Sequence, residues 1–269
     1  MLGSSREALA TLRTFVDEQS AKADFADSPS QLLSAASLLS SDKALRVAMS
    51  DSGQPVESRV ALVRELFGTR LSSTAVEILA QAASLRWSSS DDIVDAIEDM
   101  AAQIIFALAQ QAGELDRIEN EIFTFSRALE TNPDLQMALT NPAVPGSAKS
   151  AVVRDVLASR AAKGTVTLLE HAAAHLRGRR ADVALRTLSN AAAARRNRVV
   201  ADVRAAIALT PDQSQRLAAA LGRLSGREVS LNIVVDPNLI GGVSVRLNDE
   251  VIDGSIRTRL EQARRALVG

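Results

Sequence analysis

The sequence contains no cysteine and no tyrosine, and it has only two histidines and one tryptophan. Without cysteine the chain can form neither disulfides nor thiolate metal sites. Two histidines leave few side chains for acid–base chemistry near neutral pH. No apolar run approaches the roughly 20 residues that a bilayer crossing needs, and the first 25 residues lack a signal-peptide core. The sequence therefore predicts a soluble, cytoplasmic protein without a cofactor.

Charge is unevenly distributed, although the formal net charge is only −1. Residues 1–112 contain 9 basic and 15 acidic residues, whereas residues 113–269 contain 22 basic and 17 acidic residues. An acidic front and a basic rear indicate either two surfaces with different partners or a solvated surface with a chance bias.

An internal repeat organises the first two thirds of the chain. Shifted by 90 residues, the sequence aligns with itself without a gap, and identical pairs include Leu45 with Leu135, Pro55 with Pro145, Val63 with Val153, Arg64 with Arg154, and Leu79 with Leu169. The interpretation is a duplicated helical bundle, with one copy in residues 1–90 and the other in residues 91–196. Ser88-Ser89-Ser90-Asp91 is the predicted seam and also the cap of the next helix.

Each copy has the apolar spacing and punctuation of a six-helix bundle. In the second copy the predicted helices cover residues 91–112, 115–130, about 133–140, 146–157, 165–176 and 181–194. Asn132-Pro133 is a helix start, with asparagine as N-cap and proline at the first helical position. In the first copy Asp42 replaces that start.

The period changes to two in residues 197–269. Alternating aliphatic residues predict strands beginning at Val199, Val229 and Val243, with a short return at Val251-Ile252. Thr210-Pro211-Asp212-Gln213 predicts a capping box for an intervening helix that ends near Gly226, and Ser255 is predicted to cap a last helix. The predicted order is β-α-β-β-α, so the fold class is α+β, mostly α, with two tandem bundles before a small mixed domain.

The segment Val229–Asn248 resembles the C-terminal signature of the ATP synthase delta subunit family, whose mitochondrial counterpart is the oligomycin-sensitivity-conferring protein. It reads VSLNIVVDPNLIGGVSVRLN, and the match runs on through Asp253-Gly254-Ser255-Ile256-Arg257. Ile105–Ala109 with Gly113–Asp116, and the loop Asn141–Pro145, are similar to other parts of the family pattern. Residues of about 95–269 then correspond to an ordinary delta subunit, and the first copy is the departure from it.

The resemblance implies a non-catalytic stator subunit of the proton-translocating rotary ATP synthase, bound at the cytoplasmic face of the bacterial plasma membrane. In the family the helical domain receives N-terminal helices of the alpha subunits of the catalytic head, in a groove between the first and fifth bundle helices. Such binding inserts apolar anchors between two helices. Carried over, the candidate lining residues are Ile104, Ile105, Leu108, Val166 and Leu169. The alternative for each of them is a place in the bundle core.

The C-terminal domain resembles the part of the family that meets a b-type stalk subunit. Arg257 and Arg264 belong to a basic face of the last predicted helix, which suits an acidic stalk or simply water. Within the signature, Gly241 and Gly242 are expected to serve backbone geometry, since glycine tolerates positive φ. Asp236, Asp253 and Gly254 are expected in turns or caps, and Arg246 is the polar residue of the third strand.

Two other functions compete with the stator. His171 and His175 lie four residues apart and could share one helix face, as in a metal hydrolase, yet three alanines separate them and no third ligand is evident. The arginine clusters, at residues 177–180 and 195–198, could make an RNA-binding helical adaptor, although aromatic residues are scarce. The sequence favours a subunit that inserts into no membrane and binds no nucleic acid.

Overall fold

The computed structural model describes residues 1, 3–19, 25–157, 160–196, 198–236, 239, 241–247 and 250–253. The chain divides into two compact units, Met1–Val16 with Ala23–Arg196, and Asn197–Gly269 with Asp17–Lys22. The first unit is helical and the second holds a sheet. The α+β, mostly α class is thus confirmed, whereas the division of the helical part at residue 90 stays a prediction.

Eleven helices are described before the sheet. The first five are α1 (Gly3–Gln19), α2 (Ser28–Ser41), α3 (Lys43–Ser50), α4 (Val56–Phe67) and α5 (Ser73–Ser84). They are followed by α6 (Ser90–Gln111), α7 (Leu115–Thr131), α8 (Pro133–Thr140), α9 (Gly146–Leu157), α10 (Lys163–Ala174) and α11 (Ala181–Arg196). None of the helices in the described part of the chain combines the length and apolar character that a bilayer crossing requires.

The helix bounds repeat at the same shift of 90 residues as the sequence. Helices α3, α4 and α5 coincide residue for residue with α8, α9 and α10. The caps repeat as well, because the Leu45 amide donates to Asp42 Oδ1 at 3.0 Å and the Leu135 amide donates to Asn132 Oδ1 at 3.1 Å. Equivalent side chains therefore begin equivalent helices, which supports the interpretation of an internal repeat.

Helix α6 contributes to two hydrophobic clusters. Its residues Ile93, Ile97, Met100 and Ile104 belong to a cluster with α1–α5, here called the N-terminal cluster. Its residues Ala102, Ile105, Phe106 and Ala109 belong to a second cluster with α7–α11, the middle cluster. At about 100° per residue these two stripes lie on opposite sides of the helix. Helix α6 thus packs with both sets of helices: α1–α6 are here called the N-terminal bundle, and α6–α11 the middle bundle.

The second unit contains β1 (Arg198–Ala205), α12 (Pro211–Ser225), β2 (Glu228–Val235), β3 (Val243–Leu247) and β4 (Glu250–Asp253). The strand order is β2-β1-β3-β4, with β1 and β2 parallel and the other pairs antiparallel. Val203 lies between Ile233 and Val245 and faces the small core that includes Leu221 of α12. The return predicted at Val251-Ile252 is present as β4, which pairs with β3. The predicted last helix lies outside the described residues.

Local signals in this unit act as predicted. Thr210 and Gln213 form the capping box of α12, and Gly226 ends that helix in the left-handed region with φ of 65°.

Candidate partner-binding groove

An apolar groove lies between the C-terminal half of α6 and the N-terminal half of α10. Its volume is about 330 Å³. The lining consists of Ile105, Leu108 and Ala109 of α6 with its C-cap Ala112, Glu114 and Ile118 at the start of α7, Lys163, Gly164 and Thr167 of α10, and Ala26, Pro29 and Ser30 at or just before the start of α2. Most of this lining is aliphatic or small, which is the surface that an amphipathic helix needs for close approach.

Gly164 explains how tightly the helices meet beneath the groove. A Cβ at this position would lie 2.7 Å from Ile105 Cγ2 and 2.9 Å from Ile118 Cδ1. Even an alanine here would force Ile105, Ile118 or α10 to shift, so the absent side chain permits the close approach of α10 to α6 and α7.

The sequence-predicted groove residues divide between groove and core. Ile105, 7% exposed in the middle cluster, and Leu108, half-buried against the N-terminal cluster, also line the groove. Ile104 is 2% exposed in the N-terminal cluster, and Leu169 is fully buried in the middle cluster. Val166 is half-buried on α10 but does not line the groove. The structure thus brings two of the five residues together at one surface.

The C-terminal signature residues lie at turns and on strands. Gly242 has φ of 83°, a conformation that favours glycine. The Asp236 amide donates to the Ala205 carbonyl at 2.9 Å, directly after β2. Arg246 is exposed on β3, and Asp253 pairs with Ser244 at the end of β4. Gly241 lies in the bend before β3. Gly254, Arg257 and Arg264 lie outside the described residues.

A polar cluster that sequence reasoning missed joins α6 to the end of α10. Glu98 Oε1 lies 2.9 Å from His171 Nε2, and Glu98 Oε2 accepts from Arg177 Nη2 at 2.5 Å. Arg177 also pairs with Asp95. His175 Nε2 lies 2.9 Å from Ser37 Oγ of α2. Within the described residues no group of three or more metal-ligating side chains is arranged to hold a metal ion, and both histidines make polar contacts with other helices.

The environment shifts the pKa values of this cluster in opposite directions. Burial alone would raise the pKa of Glu98, but the His171 hydrogen bond and the charge of Arg177 outweigh it and hold that pKa below its usual value. Burial raises the pKa of Asp95 despite the nearby arginines. Burial, and next the charge of His171, lower the pKa of His175 to about 4. Relative to their ordinary pKa values, the surroundings therefore favour the charged form of Glu98 and disfavour the charged form of Asp95.

His175 makes a testable contribution to the pH dependence of stability. Its folded pKa of about 4 is below the ordinary histidine value of 6.5, so the unfolded chain binds the proton first. The stabilisation is complete above pH 6.5 and is lost as the pH falls toward 4. Each pKa unit is worth about 1.4 kcal/mol, and screening around this half-buried ring reduces the total to about 1–2 kcal/mol.

Urea unfolding at pH 7.5 and at pH 5 measures this contribution of His175 to the free energy of unfolding. His175→Gln keeps a hydrogen-bonding side chain near Ser37 but does not titrate, so the variant is expected to lose less stability than the parent between these two pH values. Equal losses in both proteins would show that His175 does not titrate as described.

An extensive helical unit with an open apolar groove, joined to a small sheet domain, has the features of a non-covalent connector subunit. Comparison with known proteins identifies which one. The sequence model of the family described as ATP synthase delta (OSCP) subunit matches residues 102–267. The chain belongs to this family.

Relatives extend the match over the whole chain. It is 40% identical to the ATP synthase subunit delta of Streptomyces coelicolor, over 99% of this chain and 98% of that protein. It is 40% identical to the subunit delta of a Parafrankia species, over 99% of both chains, and 38% identical to that of Nocardia farcinica, over 98% of this chain and 96% of that one. Residues 1–101, which the family model leaves out, are therefore shared with these relatives.

Among solved structures, a chain of the Toxoplasma gondii mitochondrial ATP synthase hexamer matches 62% of this chain and 95% of its own length at 19% identity, with a TM-score of 0.27. The RNA-binding alternative finds no support in the comparisons, and in the structure Arg177 and Arg179 pair with Glu98 and Asp95.

Proposed function

We propose that this peripheral-stalk subunit of the ATP synthase has no catalytic site of its own and holds an alpha-subunit N-terminal helix of the catalytic head in the α6–α10 groove. The observation that carries the proposal is the groove itself. It lies between the first and fifth helices of the middle bundle, it is apolar, and Ile105 and Leu108 line it. An inserted helix would bury aliphatic side chains against small ones, at about 25 cal/mol per Å² of apolar area removed from water.

The second half of the proposed connection is the C-terminal unit. The small sheet with α12 would meet the end of a b-type stalk subunit, so that the subunit bridges head and stalk. The head then stays fixed while the central shaft turns during proton-driven ATP synthesis. The proposed place of the chain is the cytoplasmic face of the bacterial plasma membrane, where it is held peripherally through its partners.

A stator must transmit torque without deforming, and the helical unit suits that task. Helix α6 is apolar on two sides and packed in two clusters, so its side chains are fixed in close-packed surroundings. The groove is built on this helix, and a load on the bound helix would therefore pass directly into both clusters.

Leu108→Arg tests the groove. The charged side chain would enter an apolar surface, and the affinity for a synthetic peptide of the alpha-subunit N-terminal segment is expected to fall by about 2 kcal/mol or more, roughly 30-fold. Fluorescence anisotropy of the labelled peptide, titrated with full-length protein, measures the change.

Leu38→Arg is the matched control, because Leu38 is 43% exposed on α2 and does not line the groove. It should leave the affinity unchanged. Circular dichroism verifies that both variants fold. If the folded Leu108→Arg variant binds the peptide as tightly as the parent does, the helix does not bind in this groove.

A further inference from the structure

The N-terminal bundle reaches into the surroundings of the groove through α2. Pro29 and Ser30, near the start of α2, line the groove opposite Gly164 and Thr167 of α10. One turn later Leu33 lines a second cavity of about 270 Å³ together with Leu168 and Ala172 of α10. Another turn later Ser37 bonds to His175, at the C-cap of α10. Successive turns of α2 therefore face successive turns of α10.

The position of α2 shortens the groove between α6 and α10, the first and fifth helices of the middle bundle. Toward the N-terminus of α6, the space between α6 and α10 is bordered by α2, and Ile104 packs in the N-terminal cluster instead of facing a partner. The lining of the open part on α6 runs only from Ile105 to Ala112. At 1.5 Å per residue that stretch is about 11 Å long, or two helical turns.

The N-terminal bundle does not repeat the residues that line the groove at four equivalent positions. The shift of 90 residues places Glu18 where the middle bundle has Leu108, and Glu77 where it has Thr167. Phe15 and Thr74 take the places of Ile105 and Gly164. Charged and larger residues at these positions are unsuited to receive the apolar face of a helix. The contribution of this bundle to the groove must come from another surface, and α2 supplies one.

We propose that the N-terminal bundle is part of the helix-binding site: α2 forms one wall through Pro29 and Ser30, and it limits the contact of the bound helix to about two turns. The inference rests on the proposed function of the groove. The occupant is the same alpha-subunit helix, which must carry small or aliphatic residues over those two turns and must accept a wall made of a proline ring and a serine. The wall lies outside the part of the chain that the family model matches.

Site-specific photocross-linking tests the wall directly, since the chain contains no cysteine. Ser30→Cys and Ser41→Cys, each labelled with benzophenone maleimide, are irradiated as full-length proteins with the alpha-subunit peptide. The two positions are matched, because both serines are exposed on α2 and each hydroxyl donates to a nearby backbone carbonyl at 2.9 Å. We expect at least tenfold more peptide adduct from position 30 than from position 41.

The outcomes separate this inference from the function on which it rests. One result is that Leu108→Arg abolishes peptide binding while position 30 gives no more adduct than position 41. That result would support the groove as the binding site and refute α2 as its wall. If Leu108→Arg binds the peptide normally, both proposals fall. If adduct forms at position 30 and disappears when Leu108→Arg is added to the same chain, both stand.

Discussion

Phe106→Ala should lower the free energy of unfolding by about 3–5 kcal/mol, the cost of removing a large aromatic side chain from a close-packed core. Phe106 is fully buried on α6 and belongs to the middle cluster. The surrounding helices cannot collapse fully into the vacated space, because α6 is also held by the N-terminal cluster on its other side. The cavity therefore adds its own cost to the lost burial of the ring.

Urea unfolding followed by circular dichroism measures this loss, and Phe123→Ala is the matched control. Phe123 is 56% exposed on α7, so its truncation should change stability by no more than about 0.5 kcal/mol. Trp87, 7% exposed in the N-terminal cluster, reports that cluster separately by fluorescence. Similar losses in the two variants would contradict the position described for Phe106.

Glu98→Gln is expected to destabilise the helical unit by about 3 kcal/mol, the lower end of the cost of breaking a buried ion pair. The Glu98 side chain is 15% exposed and that of Arg177 is 18% exposed. The neutral amide would leave the guanidinium of Arg177 with Asp95 as its remaining carboxylate, and the Asp95 pKa is raised by burial. It would also weaken the contact with His171. Two interactions between α6 and the end of α10 are therefore weakened by one substitution.

The same substitution at an exposed pair provides the reference. Glu77 lies 3.6 Å from Arg64, and both side chains are more than half exposed, at 58% and 60%. Glu77→Gln should therefore cost less than about 1 kcal/mol, as surface ion pairs usually do. The difference between the two variants should also shrink as the pH falls, because protonation of Glu98 removes its charge in the parent protein. A difference that is absent already at pH 7.5 would show that the cluster does not hold the helices together.

Most helix limits followed from local chemistry. Helix α6 was predicted over residues 91–112 and occupies Ser90–Gln111, and Asn132 caps α8 as expected. Helix α10 was predicted over residues 165–176 but occupies Lys163–Ala174. Its end was missed because His175, the C-cap, leaves the helical region with φ of −123° and ψ of 50°, and the three alanines before it give no stop signal.

The site could be predicted only where neighbouring residues carry the information. Ile105 and Leu108 were recognisable from a family pattern and do line the groove. Ile104 looked equivalent, but periodicity does not say which side of a helix meets a second bundle. The contact of α2 with α10 and the pairing of Glu98 with Arg177 join residues far apart in the chain, and no local pattern records such pairs.

Because α6 packs in both clusters, helices α1–α5 could not be removed without further changes to this helix. Excising residues 1–89 would leave Ile93, Ile97 and Met100, all fully buried in the present structure, on a bare aliphatic surface. Surfaces of that kind promote aggregation. A shorter subunit without α1–α5 would need hydrophilic residues at those positions.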